Sequence, residues 1–184
     1  VGEYNVNNAL AAMAVGRLFH ITPDRIKQAL ANVELTENRA EWVTGENGEQ
    51  ILSDVYNSNP TAAKQVLKTV AEMPVEGRRI AVLGDMLELG EAPARLHASL
   101  AAQIDPDKIQ EVYLVGEQMA ALKTRLTEDG YPAAAIHYYQ ADQLDQLSED
   151  LQATLTASDI VLLKASHGIH LEKVLDAIEK KQND

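Results

Sequence analysis

The stretch ILSDVYNSNPTAAKQVL, residues 51–67, runs from a buried-looking strand into a helix through a dense run of polar groups. Turns usually take one or two residues of that kind. Here Asp54, Tyr56, Asn57, Ser58 and Asn59 all fall between strand and helix. Asn59-Pro60 reads as an N-cap followed by proline at the first helical position, where fixed φ is suited to the helix and the missing N–H costs nothing. Asn57 has no such explanation.

The strand-to-helix step recurs outward from this stretch. RRIAVLGD leads to APARLHASLAAQI, and EVYLVG leads to EQMAALKTRLTEDG. IHYY leads to ADQLDQLSEDLQATL, and DIVLLKAS leads to HLEKVLDAIEKK. Strands as continuously apolar as IAVL and IVLL belong to sheets covered on both faces by helices. The expected fold is α/β, a Rossmann-like, mostly parallel sheet with helices on both faces. A β-hairpin opens it: GENG supplies the turn, and Trp42 and Val43 face Ile51 and Leu52. Residues 1–34 read as a helical pair outside this repeat. Ala9, Leu10, Met13 and Leu18 recur at helical spacing, and Thr22-Pro23 opens a second helix. The expected domains are 1–34 and 35–184.

Composition narrows the function. The chain has 184 residues, 46% of them hydrophobic, enough for a sizeable core, with aromatics at only 4%. Sixteen basic against 28 acidic residues leave a net charge of −12, a surface that repels nucleic-acid backbones and anionic lipid. There is no cysteine, so thiolate chemistry and disulfides are excluded. No apolar run is long enough to span a bilayer, and a cytoplasmic location is expected. The chain opens at VGEYN without methionine, which suggests a fragment or a processed form.

Ligands of doubly wound folds bind beyond the carboxyl ends of the strands. There the sequence places DVYNSN, GDMLELG, GEQ and KASHGIH. No GxxxxGK[ST] loop exists to cradle a triphosphate, and GDMLELG is too poorly spaced for a dinucleotide fingerprint. The histidines, at 20, 97, 137, 167 and 170, form no HExxH set. His167 and His170 lie three apart on an expected helix start but lack a third ligand. Asp54 suits a ribose hydroxyl or a water near magnesium, with an Asx turn as the blander alternative. Arg39 could clamp a phosphate or pair with Glu37 or Glu41. Asn5 and Asn8 share one helical face, as base-edge contacts or as caps.

Taken together, GEYNVNNALAA (2–12), NRAEW (38–42), DVYNSNP (54–60), VLGDMLELG (82–90) followed by His97, and LLKASHGIHLEKV (162–174) resemble the Mur ligases, specifically the D-alanyl-D-alanine-adding branch. The resemblance covers the whole chain but only the C-terminal part of the family's. It implies a three-domain cytoplasmic enzyme of peptidoglycan synthesis. ATP with Mg2+ would phosphorylate the terminal carboxylate of UDP-N-acetylmuramoyl-tripeptide. The amine of D-alanyl-D-alanine would then attack the acyl phosphate. The phosphate-binding loop, the modified lysine and most magnesium ligands would lie in a central domain, of which residues 1–34 would be the tail. The fragment alone would be inactive, and a monomer is expected.

By the same resemblance, Asn5 and Asn8 would approach the adenine and Arg39 the phosphates, while Asp54 would hold the ribose or order the nucleotide's surroundings. Tyr56, Asn57, Ser58, Asn59, Ser166 and His167 would face the dipeptide. Asp85, Glu88 and His97 would lie near the same rim, with turn-shaping the alternative for GDM. Two departures stand out: Tyr4 where the family often has histidine, and KASHG where many members have Lys-Gly-Ser followed by Arg or Asn. A stand-alone binding or scaffolding module and a folylpolyglutamate-type ligase are the competing readings.

Overall fold

The structure, a computed structural model, describes residues 3–33 and 40–180, with side chains from Val6 onward. The chain forms two compact units, Val1–Thr36 and Glu37–Asp184.

The first unit is a helical pair, α1 (Glu3–Leu18) and α2 (Pro23–Ala31). Pro23 opens α2, but Thr22 makes no side-chain capping bond; only its carbonyl is used, by Ile26 N–H. His20 adopts a left-handed φ of 59° between the helices. The face expected from helical spacing is mostly uncovered. Leu10, Met13 and Leu18 are exposed, as are Val6, Val15 and Phe19, while Ile26 is buried.

The second unit is built on six strands: β1 (Glu41–Thr44), β2 (Gln50–Asp54), β3 (Arg79–Gly84), β4 (Glu111–Val115), β5 (Ile136–Tyr139) and β6 (Ile160–Lys164). Their order is β1-β2-β6-β3-β4-β5. Only β1 is antiparallel, paired to β2 with Trp42 opposite Leu52 and Val43 opposite Ile51. Gly48, at φ 96°, supplies the left-handed residue the hairpin turn needs. The mostly parallel Rossmann-like sheet read from the sequence is the observed one.

Strand residues alternate between two cores. Leu52, Ala81, Leu83, Val112, Leu114 and Leu162 face α3 (Pro60–Glu72) and α5 (Met119–Glu128). Ile51, Ile80, Val82, Tyr113, Val161 and Leu163 face α6 (Leu144–Thr154) and α7 (Glu172–Ile178). Helix α3 shows why: Ala63, Val66, Leu67 and Val70 form one buried stripe at helical spacing. Fully burying a side chain such as Leu67 contributes about 1.5–3 kcal/mol.

Two helices are shorter than their sequences suggest. APARLHASLAAQI forms α4 (Pro93–Ala98) and then tightens to a 3₁₀ turn, Ser99–Gln103. After β6 comes a 3₁₀ turn, His167–Ile169, closed by His170 in the left-handed region at φ 62°. His167 and His170 therefore flank a tight turn; they do not begin an α-helix. The reason is local, because a left-handed residue cannot continue a right-handed helix.

Strand β6 is last in sequence but lies between β2 and β3. Its carboxyl end leads to α7 on one face, while that of β2 leads to α3 on the other. Connections that part to opposite faces leave a crevice at the rim, the place where such sheets bind ligands.

Candidate functional site at the carboxyl rim of the sheet

Three segments meet at this rim: residues 54–60 after β2, 84–90 after β3 and 164–170 after β6. Asp54 and Lys164 are direct partners in the β2–β6 register. Lys164 is nearly sealed, at 2% exposure; its ammonium lies within the rim. It donates to Asp54 Oδ2 at 2.6 Å and to the Asn57 carbonyl at 2.8 Å. A lone buried ammonium would be very costly; this one is paired and hydrogen-bonded. The Asp54 side chain keeps 17% of its surface exposed.

Beyond that pair, Tyr56, Asn57 and His167 are exposed. The Tyr56 and His167 rings lie 6.1 Å apart, and His167 meets His170 edge-on at 5.8 Å. His170 Nδ1 is 2.9 Å from Glu172 Oε1. Ser58 is buried at 4% exposure and so presents little surface to a ligand. Asn59 caps α3, its side chain accepting from Ala62 N–H at 2.9 Å, as Asn-Pro suggests.

The GDML segment is tied down from several sides. Asp85 accepts from the Gln118 and Met119 amides at 3.1 and 2.9 Å, closing the start of α5. Gly116, at φ 108°, is bare where Asp85 packs; a Cβ there would collide with the carboxylate. Burial pushes the Asp85 carboxyl up, and the two amide bonds oppose but do not cancel it. His97 is fully buried. Its Nε2 accepts from Met86 N–H at 2.8 Å, so the ring proton sits on Nδ1, 2.7 Å from the Pro93 carbonyl. With both nitrogens so used the imidazole is neutral, and its 4.0 Å approach to Asp85 is not an ion pair. Ser166 Oγ accepts from Leu87 N–H at 2.9 Å, and Ser166 N–H donates to the Asp85 carbonyl at 3.1 Å. Glu88 is exposed at φ 61°.

The structure thus brings Asp54, Tyr56, Asn57, Ser166 and His167 to one rim. Asp85, His97 and Ser166 act there as braces that hold the loops, and Glu88 projects to solvent. Arg39 lies outside the described residues, as does the side chain of Asn5. Asn8 is an exposed residue of α1 in the first unit. Among the described residues no group of three or more His, Asp or Glu is placed to hold a metal ion. Lys164 is the residue sequence reasoning passed over. Its signal was a charge closing the apolar run IVLL, since a sealed lysine requires a partner.

A family model for the Mur ligase, glutamate ligase domain matches residues 38–167. The chain belongs to the Mur ligase family. It is similar to the UDP-N-acetylmuramoyl-tripeptide–D-alanyl-D-alanine ligase of Bacillus subtilis, 33% identical over 180 residues, which cover 97% of this chain and 39% of that one. The enzyme of the same name from Escherichia coli is 29% identical over 97% of this chain and 38% of its own. In fold it resembles MurF ligase from Thermotoga maritima in complex with ADP, with a TM-score of 0.76 at 24% identity over 96% of this chain and 38% of that one. The chain spans about two fifths of the length of the curated relatives it matches.

Proposed function

We propose that this chain is the C-terminal part of an ATP-dependent amide ligase that adds D-alanyl-D-alanine to UDP-N-acetylmuramoyl-tripeptide. The observation that carries the reading is the meeting, at one rim of a Mur ligase fold, of Asp54, Tyr56 and Asn57 with His167 from far along the chain. The likeness to the Bacillus and Escherichia ligases over 97% of the chain supports the choice of substrate. Residues 1–34 are the tail of a central domain that binds the phosphates of ATP with magnesium. The exposed apolar side chains of α1 are consistent with a helical pair made to pack against polypeptide of that domain.

In this reading ATP converts the tripeptide carboxylate to an acyl phosphate, and the dipeptide amine displaces phosphate. Acyl phosphates hydrolyse, so the rim must close over the reacting groups and bring the amine to about 3–3.5 Å from the carbonyl. Tyr56, Asn57 and His167 face the dipeptide, supported by Ser58, Asn59 and Ser166. Neutral groups bind its amide and carboxylate, and the rim's carboxylate, Asp54, is paired with Lys164 and so does little to hold the amine protonated. By the family resemblance Asp54 is assigned to the ribose, Arg39 to the phosphates, and Asn5 and Asn8 to the adenine.

The test is ATP-dependent ligation by the full-length enzyme, followed by phosphate release. Asp54→Ala and Arg39→Ala each lower kcat/KM several hundred-fold, equivalent to about 3–4 kcal/mol. Near-wild-type rates in both variants reject these roles. An unaltered wild-type enzyme that turns over ATP without consuming the dipeptide rejects the substrate assignment.

A further inference from the structure

We propose that Lys164 is a positioning residue for the acceptor dipeptide, an inference that rests on the ligase reading above. Its ammonium joins the end of β6 to two points on the loop after β2, the Asp54 carboxylate at 2.6 Å and the Asn57 carbonyl at 2.8 Å. The carbonyl bond is the informative one. Asn57 lies two residues before the α3 cap, so the 54–60 loop is pinned at three places: Asp54 in the strand register, the Asn57 peptide on Lys164, and Asn59 on Ala62 N–H. Between those pins lie Val55, Tyr56 and Ser58; Val55 and Ser58 are buried, and Tyr56 and Asn57 are the exposed pair. Fixing the Asn57 carbonyl fixes the orientation of the Asn57–Ser58 peptide, and with it the direction in which the Asn57 side chain leaves the loop beside Tyr56.

Stability alone gives no reason for a lysine here. An apolar side chain of similar length would fill a site that is 2% exposed without desolvating an ammonium, and such replacements are often neutral or stabilising when the partner charge is removed too. What the ammonium adds is direction, since its donors point at fixed angles toward a carboxylate and a carbonyl on different parts of one loop. It also neutralises Asp54 on the side facing the protein, so the rim offered to the dipeptide amine carries a compensated carboxylate.

The experiment uses the full-length ligase with Lys164→Met, Asp54→Asn and the double variant, measuring KM for D-alanyl-D-alanine, KM for ATP, kcat and the thermal midpoint. Lys164→Met leaves Asp54 unpaired and lowers the thermal midpoint; the double variant removes both charges and recovers it. The KM for D-alanyl-D-alanine rises about thirtyfold in Lys164→Met, and stays raised in the double variant relative to Asp54→Asn alone. The KM for ATP changes by less than about threefold between the double variant and Asp54→Asn. Recovery of both midpoint and acceptor KM in the double variant would mean that Lys164 only offsets a buried charge, and the proposal fails. An acceptor KM within about threefold of wild type in Lys164→Met also overturns it. If Lys164→Met does not fold, the double variant decides alone. A wild-type enzyme that does not ligate the dipeptide removes the underlying reading; a wild-type enzyme that does, with variants of unchanged acceptor KM, removes only the role of Lys164.

Discussion

The two ends of the sheet each pair a cation with carboxylate, half-exposed Arg78 at one and sealed Lys164 at the other, with opposite consequences. At the amino end Arg78 reaches Asp159 Oδ1 and Oδ2 at 3.3 and 2.7 Å, the Thr154 carbonyl at 2.7 Å, and Glu111. Asp159 also takes the backbone N–H groups of Arg78 and Thr156, at 2.8 and 2.9 Å. Glu111 accepts in turn from the Tyr113 hydroxyl at 3.0 Å, and burial pushes that phenol up to about 12. Within this cluster Arg78, Asp159, Glu111 and Tyr113 serve one another. At the carboxyl end the Lys164–Asp54 pair lies beneath a loop whose Tyr56 and Asn57 remain exposed. A polar cluster that consumes its own capacity is scaffold; one that holds other polar groups outward is a candidate site.

That contrast breaks most sharply at Arg78. Arg78→Met leaves Asp159 with only its two backbone N–H donors and lowers the free energy of unfolding by about 2–4 kcal/mol in denaturant titration. Ligation per folded molecule of the full-length enzyme stays close to wild type. A large loss of ligation with little loss of stability would show the amino end to be functional and erase the distinction.

A smaller effect is expected at the braces of the carboxyl end. Asp85→Ala leaves two amides at the start of α5 without their acceptor, for a loss of about 1–3 kcal/mol by the same measurement. Asn59→Ala removes one capping bond from α3 and loses about 1 kcal/mol, with Asn59→Ser restoring most of it. An unchanged midpoint in Asn59→Ala would argue that the side chain serves a ligand more than the helix.

The smallest effect concerns pH. Burial pulls the Asp159 carboxyl upward, but its hydrogen bonds from Arg78 and Thr156 outweigh this and hold it below its ordinary 3.8. Its contribution to stability is present above that value and is lost as pH falls through the lower folded one. Glu49 behaves oppositely. It is 1% exposed, with Oε2 unpaired, and burial raises its carboxyl above the ordinary 4.5. Its contribution is most favourable below 4.5 and is lost as pH rises through the folded value. Glu49→Gln therefore stabilises at pH 7, and the gain over wild type shrinks on acidification toward pH 4. A difference independent of pH would show that the lost charge is not its cause.

Much of this was legible in the sequence because it is locally encoded. The hairpin turn at GENG, the Asn59 cap and the buried stripe of α3 depend on residues within a few positions of one another. The helical pair misled in one respect: spacing marked Leu10, Met13 and Leu18 as an apolar face, and they are exposed among the described residues. Spacing reports which residues share a face, but not what covers it. The GDML block was harder to read, because Asp85 and His97 look chemically active in one dimension. Their acceptors and donors turn out to be backbone groups of neighbouring loops.

The sequence by itself determined the α/β class, the order of elements, the polar strand ends and the acidic surface. It did not determine which ends would be neighbours. Insertion of β6 between β2 and β3 makes Lys164 the partner of Asp54 across 110 positions. The same insertion places Asp159 beside Arg78 across 81 positions. Periodicity and capping act over a turn or a strand, whereas strand order is selected by burying both faces of the whole sheet at once. Only the folded chain could therefore distinguish the lysine that orients a loop from the carboxylates and histidine that merely hold one.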